Sequence, residues 1–75
     1  MQGTNTRIAQ LNSSAIELAA HNESLNQLFI TFTSGITYRY RNVESTQFDN
    51  LIEASSAGAY FNSSIRNNYD YEVYC

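Results

Sequence analysis

Large and small side chains alternate with a period of two over residues 36–41, Ile36-Thr37-Tyr38-Arg39-Tyr40-Arg41, directly after a Ser34-Gly35 pair. That period places successive side chains on opposite faces of a strand, and aromatic residues favour a pleated, half-buried surface. One face of this strand takes Ile36, Tyr38 and Tyr40 inward, and the other carries Arg39 and Arg41. The same alternation runs over 28–33, with Leu28, Ile30 and Phe32 opposed to Phe29, Thr31 and Thr33. Over 13–21 it sets Ile16, Leu18 and Ala20 inward against Glu17, Ala19 and His21. The three segments predict a three-stranded antiparallel meander, with turn formers at Asn22-Glu23-Ser24 and at Ser34-Gly35.

The second turn decides which faces match. A two-residue turn at Ser34-Gly35 sets Phe29 beside Tyr40 and Arg39 opposite Ile30. A three-residue turn, Thr33-Ser34-Gly35, puts glycine where the left-handed conformation is required. It aligns Leu28, Ile30 and Phe32 with Ile36, Tyr38 and Tyr40, and leaves Arg39 and Arg41 in water. A slip of one residue would turn one strand inside out, so burial selects the longer turn.

After Val43 the period changes. Phe48, Leu51, Ile52 and Ser55 fall at i, i+3, i+4 and i+7, a helical stripe, with Glu44, Asp49 and Glu53 on its polar side. Gly58 reads as the terminator or hinge. A second short helix is predicted over 59–66, with Phe61 and Ile65 on one face and Arg66 in the last turn, where a cation suits the helix dipole. Residues 69–74 alternate again, as an edge strand within the chain or across a subunit boundary. Residues 1–12 are polar and mixed. They read as a flexible arm carrying at most one docked extended segment, and 13–75 as a single domain. The fold class is α+β: a three-stranded meander, two short helices on one face and a C-terminal edge strand.

Composition narrows the function. A chain of 75 residues buries only about 60% of the surface its unfolded form exposes, so stability is marginal. Such domains gain from disulfides, metals or oligomerisation. Cys75 has no second cysteine to pair with, and one histidine with one cysteine does not make a structural zinc site. A homo-oligomer without metal or cofactor is the expectation. No run approaches a membrane span and no basic-then-apolar leader opens the chain, which predicts a cytoplasmic protein. The formal charge of −3 and pI near 4.8 disfavour long nucleic acid as a partner.

Ser13-Ser14-x-Ile16, the Phe32-x-Ser34-Gly35-x-x-Tyr38-x-Tyr40 core, Val43 and Ser56-x-Gly58-x-Tyr60-Phe61-Asn62-x-x-Ile65-Arg66 resemble the KTSC domain. The resemblance covers most of the chain. That family is named for its place at the C-terminus of some lysyl-tRNA synthetases and also occurs as small bacterial and phage proteins. Its company with a tRNA enzyme implies RNA binding, and its occurrence in phages implies a sponge for a host nucleotide signal. The sequence departs from the family pattern at His21-Asn22, where a Tyr-Asp pair is expected, and at Glu44, where proline is usual.

The chemistry-bearing residues point to binding rather than catalysis. His21 reads as a surface histidine beside a turn, the carboxylates are scattered, and no glycine-rich phosphate loop is present. Arg39 and Arg41 project together in a chain with four arginines and no lysine. Guanidinium makes bidentate contacts to phosphate and stacks on flat rings. Arg66 with Tyr60 and Asn62 offers a second cluster of that chemistry, and Tyr38 an aromatic face. The leading expectation is a non-catalytic module that binds a small nucleotide or other phosphorylated ligand between subunits. The alternatives are an RNA-binding module and a structural interaction protein whose arginines meet a partner's carboxylates.

Overall fold

The structure, a computed structural model, describes residues 6–75. Five antiparallel strands, β1 (Thr6–Gln10), β2 (Ile16–Asn22), β3 (Gln27–Phe32), β4 (Thr37–Tyr40) and β5 (Tyr71–Val73), lie side by side in chain order. Two helices, α1 (Ser45–Glu53) and α2 (Ala57–Ser64), sit between β4 and β5 in sequence and cover one face of the sheet. The class is α+β as expected, with a five-stranded sheet in place of three. The extended segment of the N-terminal arm is β1, so the sheet begins before residue 13. Residues 1–5 of the arm lie outside the described residues.

The β3–β4 register is the one that burial selects. Leu28 faces Tyr40 and Ile30 faces Tyr38, around the three-residue turn. Gly35 takes φ +100 there, and its N–H donates to the Phe32 carbonyl at 2.9 Å. Leu28, Ile30 and Tyr40 meet Phe48 and Leu51 of α1 and Phe61 of α2 in the core. No helix among the described residues is long and apolar enough to cross a membrane.

β2 departs from simple alternation. Ile16 pairs with Phe32 but Leu18 pairs with Thr31, so one extra residue, Glu17, is accommodated in a bulge. A bulge reverses the facing of everything beyond it. Ile16, Ala19 and His21 therefore point into the core, whereas Leu18 and Ala20, expected inward, lie on the uncovered face. The expected surface histidine is fully buried. Its Nε2–H donates to the Val43 carbonyl at 2.6 Å, and Nδ1 has no partner.

The helix boundaries also shift. α1 stops at Glu53, and Ser56 opens α2 by accepting from the Ala59 N–H at 3.3 Å. Gly58 thus lies in the first turn of α2 and is not a terminator. Serine caps a helix start well because its hydroxyl satisfies an otherwise orphaned N–H. The early start brings an early end: Ile65 is the C-cap, and Arg66 stands just past the helix.

Candidate ligand-binding cleft

The six residues singled out as ligand contacts divide between the two faces of the sheet. Arg39 and Arg41 lie on the face away from the helices. They are not free in water, because β5 brings Glu72 directly beside Arg39 in register and the one carboxylate pairs with both guanidinium groups. The Arg39 guanidinium also lies 5.6 Å from the Tyr74 ring centroid. The alternating tail that supplies Glu72 pairs within the chain, and Tyr74 packs edge-on against Phe29 at 5.0 Å. These two arginines therefore have an intramolecular partner that nothing near them in sequence announces.

Tyr60 is likewise committed. Its hydroxyl donates to Gln47 Oε1, and Gln47 Nε2 donates to the Tyr69 hydroxyl at 2.9 Å. This amide bridge ties α1 to α2 and to the approach of β5, and Tyr60 takes no part in the cleft.

Tyr38, Asn62 and Arg66 do come together. They line an open cleft of about 700 Å³ on the helix side of the sheet, between the end of α2 and the β3–β4 turn. Its floor and walls are rings: Phe32, Tyr38 and Tyr40 from the sheet, Phe61 from α2 and Tyr71 from β5. The rings meet mostly edge to face. Phe32 stands 5.5 Å from Tyr38 and 5.6 Å from Phe61, and Tyr40 stands 5.6 Å from Phe61. Such pairs are favoured because a ring's electron-poor edge meets its neighbour's electron-rich face. The cluster is rigid at its base, where Tyr40 is 2% exposed, and open at its rim, where Tyr71 is 56% and Ile36 44% exposed.

Arg66 is the charged residue of this lining, with Asn62 and Asn67 beside it. The Arg66 Nη1 lies 3.5 Å from Asn62 Oδ1, a long contact. Among the described residues, Arg7 pairs with Asp49 and Arg39 and Arg41 pair with Glu72, but no carboxylate pairs with Arg66. Its charge acts on the cleft nonetheless. Burial pushes the Tyr40 hydroxyl up from 10.0 to about 12, the neighbouring Tyr71 and Tyr38 hydroxyls add to that, and Arg66 pulls the other way. Tyr40 is therefore a neutral phenol at physiological pH.

Elsewhere the chain offers less. A polar notch of about 320 Å³ next to Arg41 is lined by Asn42, Asn67, Asn68, Tyr69 and Asp70. Among the described residues no three His, Cys, Asp or Glu side chains gather as a metal site does. Cys75 is exposed.

The profile of the KTSC domain matches residues 12–69. The chain belongs to the KTSC domain family. A protein of Tsukamurella paurometabola is 38% identical over 56 residues, which make up 75% of this chain and 84% of that protein. The crystal structure of a KTSC domain protein from Yersinia pestis has the same fold, with a TM-score of 0.85 over 93% of this chain and 99% of its own, at 24% identity. The KTSC match takes in every residue of the cleft except Tyr71, which lies on β5. Of the site residues named from the sequence, Tyr38, Asn62 and Arg66 line the cleft, and Phe61 and Tyr71 beside them were not among those named. Phe61 had a signal, its place one residue before Asn62. Tyr71 had only the alternation of the tail, which does not say which strand it joins.

Proposed function

We propose that this KTSC domain is a non-catalytic binding module for a small nucleotide or similar ligand that combines a flat ring with a phosphate, held in the aromatic cleft. One observation carries the reading: the arginine with no carboxylate partner among the described residues is the one that borders a wall of rings. Stacking one base on an aromatic side chain is worth about 1–3 kcal/mol. A phosphate meets an unpaired guanidinium without first displacing a carboxylate.

The rest of the lining, which contains no histidine, cysteine, aspartate or glutamate, supports a reading of binding without chemistry. Tyr40, held near 12, is too weak an acid to leave a phenolate base at neutral pH. The sequestering role implied for phage members of the family requires only such binding. The proposed site lies within one chain, and Arg39 and Arg41 stand outside it.

Calorimetry against a panel of linear and cyclic nucleotides tests the reading. Saturable binding that weakens about ten- to a hundredfold in Arg66→Ala, and also falls in Tyr38→Ala, supports it. Arg39→Ala should bind as the parent does. Preference for single-stranded RNA with a steep loss of affinity in salt would replace the nucleotide reading with the RNA one. Loss of binding in Arg39→Ala but not in Arg66→Ala would move the site to the other face of the sheet.

A further inference from the structure

The lining of the cleft carries a single charge, and its surroundings set a limit on how much negative charge a ligand can bring. Phe61 and Asn62 belong to the last turn of α2, and Arg66 follows just beyond its C-cap. The cleft is thus bordered by the C-terminal, partially negative end of a helix, the opposite of the N-terminal end on which polyphosphates are commonly cradled. Both the Ile65 and Arg66 N–H groups donate to the Phe61 carbonyl, at 3.0 and 2.9 Å, so they are turned into the helix end rather than toward a ligand. The remaining polar groups of the lining are neutral: Asn62, Asn67, and the hydroxyls of Ser14, Thr33 and Ser34.

Glu72 adds no negative charge here, because it is paired with Arg39 and Arg41 on the other face of the sheet, and the chain as a whole carries −3. One phosphate placed at Arg66 neutralises the guanidinium. A second or third phosphate has no further cation in the lining to meet. Polyphosphates ordinarily travel with magnesium, which proteins hold through one or two carboxylates together with the phosphate oxygens. The lining offers no carboxylate to do so.

We propose that the cleft is selective for ligands with one phosphate, the class of linear or cyclic nucleoside monophosphates, and gains nothing from a longer phosphate chain. The proposal rests on the reading of the cleft as a nucleotide site and specifies which nucleotides it takes. Arg66 provides the recognition of the phosphate, and the half-buried ring of Tyr38 and the exposed ring of Tyr71 provide the surface for the base. Charge count, rather than shape, separates a monophosphate from a triphosphate.

The experiment is a titration of the full chain with four probes for each common base: the nucleoside, the monophosphate, the diphosphate and the triphosphate, with and without magnesium. The monophosphate should bind about tenfold or more tighter than its nucleoside, by the worth of one charge-assisted contact. The diphosphate and triphosphate should bind no tighter than the monophosphate, with or without magnesium. In Arg66→Gln the gap between monophosphate and nucleoside should close while nucleoside binding persists. A triphosphate bound about tenfold tighter than the monophosphate, or binding that appears only with magnesium, overturns the selectivity but leaves a nucleotide site in place. A nucleoside bound as well as its monophosphate, or a gap that survives in folded Arg66→Gln, overturns the role of Arg66. If none of the probes binds, the cleft is not a nucleotide site and the selectivity falls with it.

Discussion

Alkaline pH should unfold this domain through Tyr40. The side chain is 2% exposed, packed between Phe61 and Tyr71, and its hydroxyl is pushed to about 12 from 10.0, chiefly by burial. In the unfolded chain it titrates near the ordinary tyrosine value. Below that value the phenol is neutral in both states, and folding neither takes up nor releases its proton. Between 10.0 and about 12 the unfolded chain gives the proton up while the folded chain keeps it. The folded state then binds more protons, and the linkage relation makes stability fall as pH rises. A tenfold difference in acidity between the two states is worth about 1.4 kcal/mol, so the loss at the alkaline end of that window amounts to about 2–3 kcal/mol. For a domain this small that is a large share of the whole.

Urea unfolding followed by circular dichroism, repeated from neutral to strongly alkaline pH, measures the loss. Tyr40→Phe isolates it from the five other tyrosines. At neutral pH the variant should differ from the parent by no more than about 1 kcal/mol, since only a hydroxyl is removed. At high pH it should be the more stable of the two. Arg66 lowers the Tyr40 value, so Arg66→Gln should move the Tyr40 titration still higher. Parallel loss of stability in the parent and Tyr40→Phe would refute the reasoning. So would a single tyrosinate step at the ordinary value for all six tyrosines in the folded protein.

Other changes have equally definite outcomes. His21→Leu removes the N–H that satisfies the buried Val43 carbonyl and should cost about 1–3 kcal/mol by urea unfolding. Glu72→Gln leaves Arg39 and Arg41 without their carboxylate, but all three side chains keep partial contact with water, so the stability change should be about 1 kcal/mol. Deleting residues 71–75 strips β5 from β4 and removes the Tyr71 wall. Light scattering should then show increased self-association, because the unpaired edge of β4 is a template for another chain.

What was legible in the sequence follows the range of the interactions involved. The β3–β4 pairing was readable because its turn is three residues long and only one register puts both apolar sets on one face, although Ile36 at the turn stays exposed. The helical stripe of Phe48, Leu51 and Ile52 was readable for the same local reason, although Ile52 itself ends up exposed. The bulge at Glu17 was not. Ile16, Leu18 and Ala20 alternate as a regular strand does, and the reversal is imposed by a partner strand that buries Ala19 and His21. The pairing of Arg41 with Glu72 spans 31 residues and depends on β5 joining β4 rather than another chain. Of the site, Arg66, Asn62 and Tyr38 could be named one by one. That they share a cleft, and that Tyr60 does not, is decided by where α2 begins and ends.

That ending links the open surface to the chemistry. Tyr38 on β4 and Val73 on β5 face one another in register on the helix side, with Ile36 just before β4. Ile36 is 44% and Val73 64% exposed, although apolar surface is what a domain of this size has least reason to leave in water. The core stops short of them because α2 ends at Ser64 and the chain turns away through Asn67 and Asn68, where the Asn68 side chain donates to the Ser64 carbonyl at 2.8 Å. Ser56 fixes where the helix starts, and Asn68 helps to satisfy its final turn. The same turn that leaves the rings uncovered sets Arg66 at their edge, away from any carboxylate partner among the described residues. An open aromatic cleft and a cation without a carboxylate partner among the described residues thus meet at one local feature, the end of an eight-residue helix. The exposed apolar surface at Ile36 is therefore part of the same cleft that is proposed to take a ring with a phosphate.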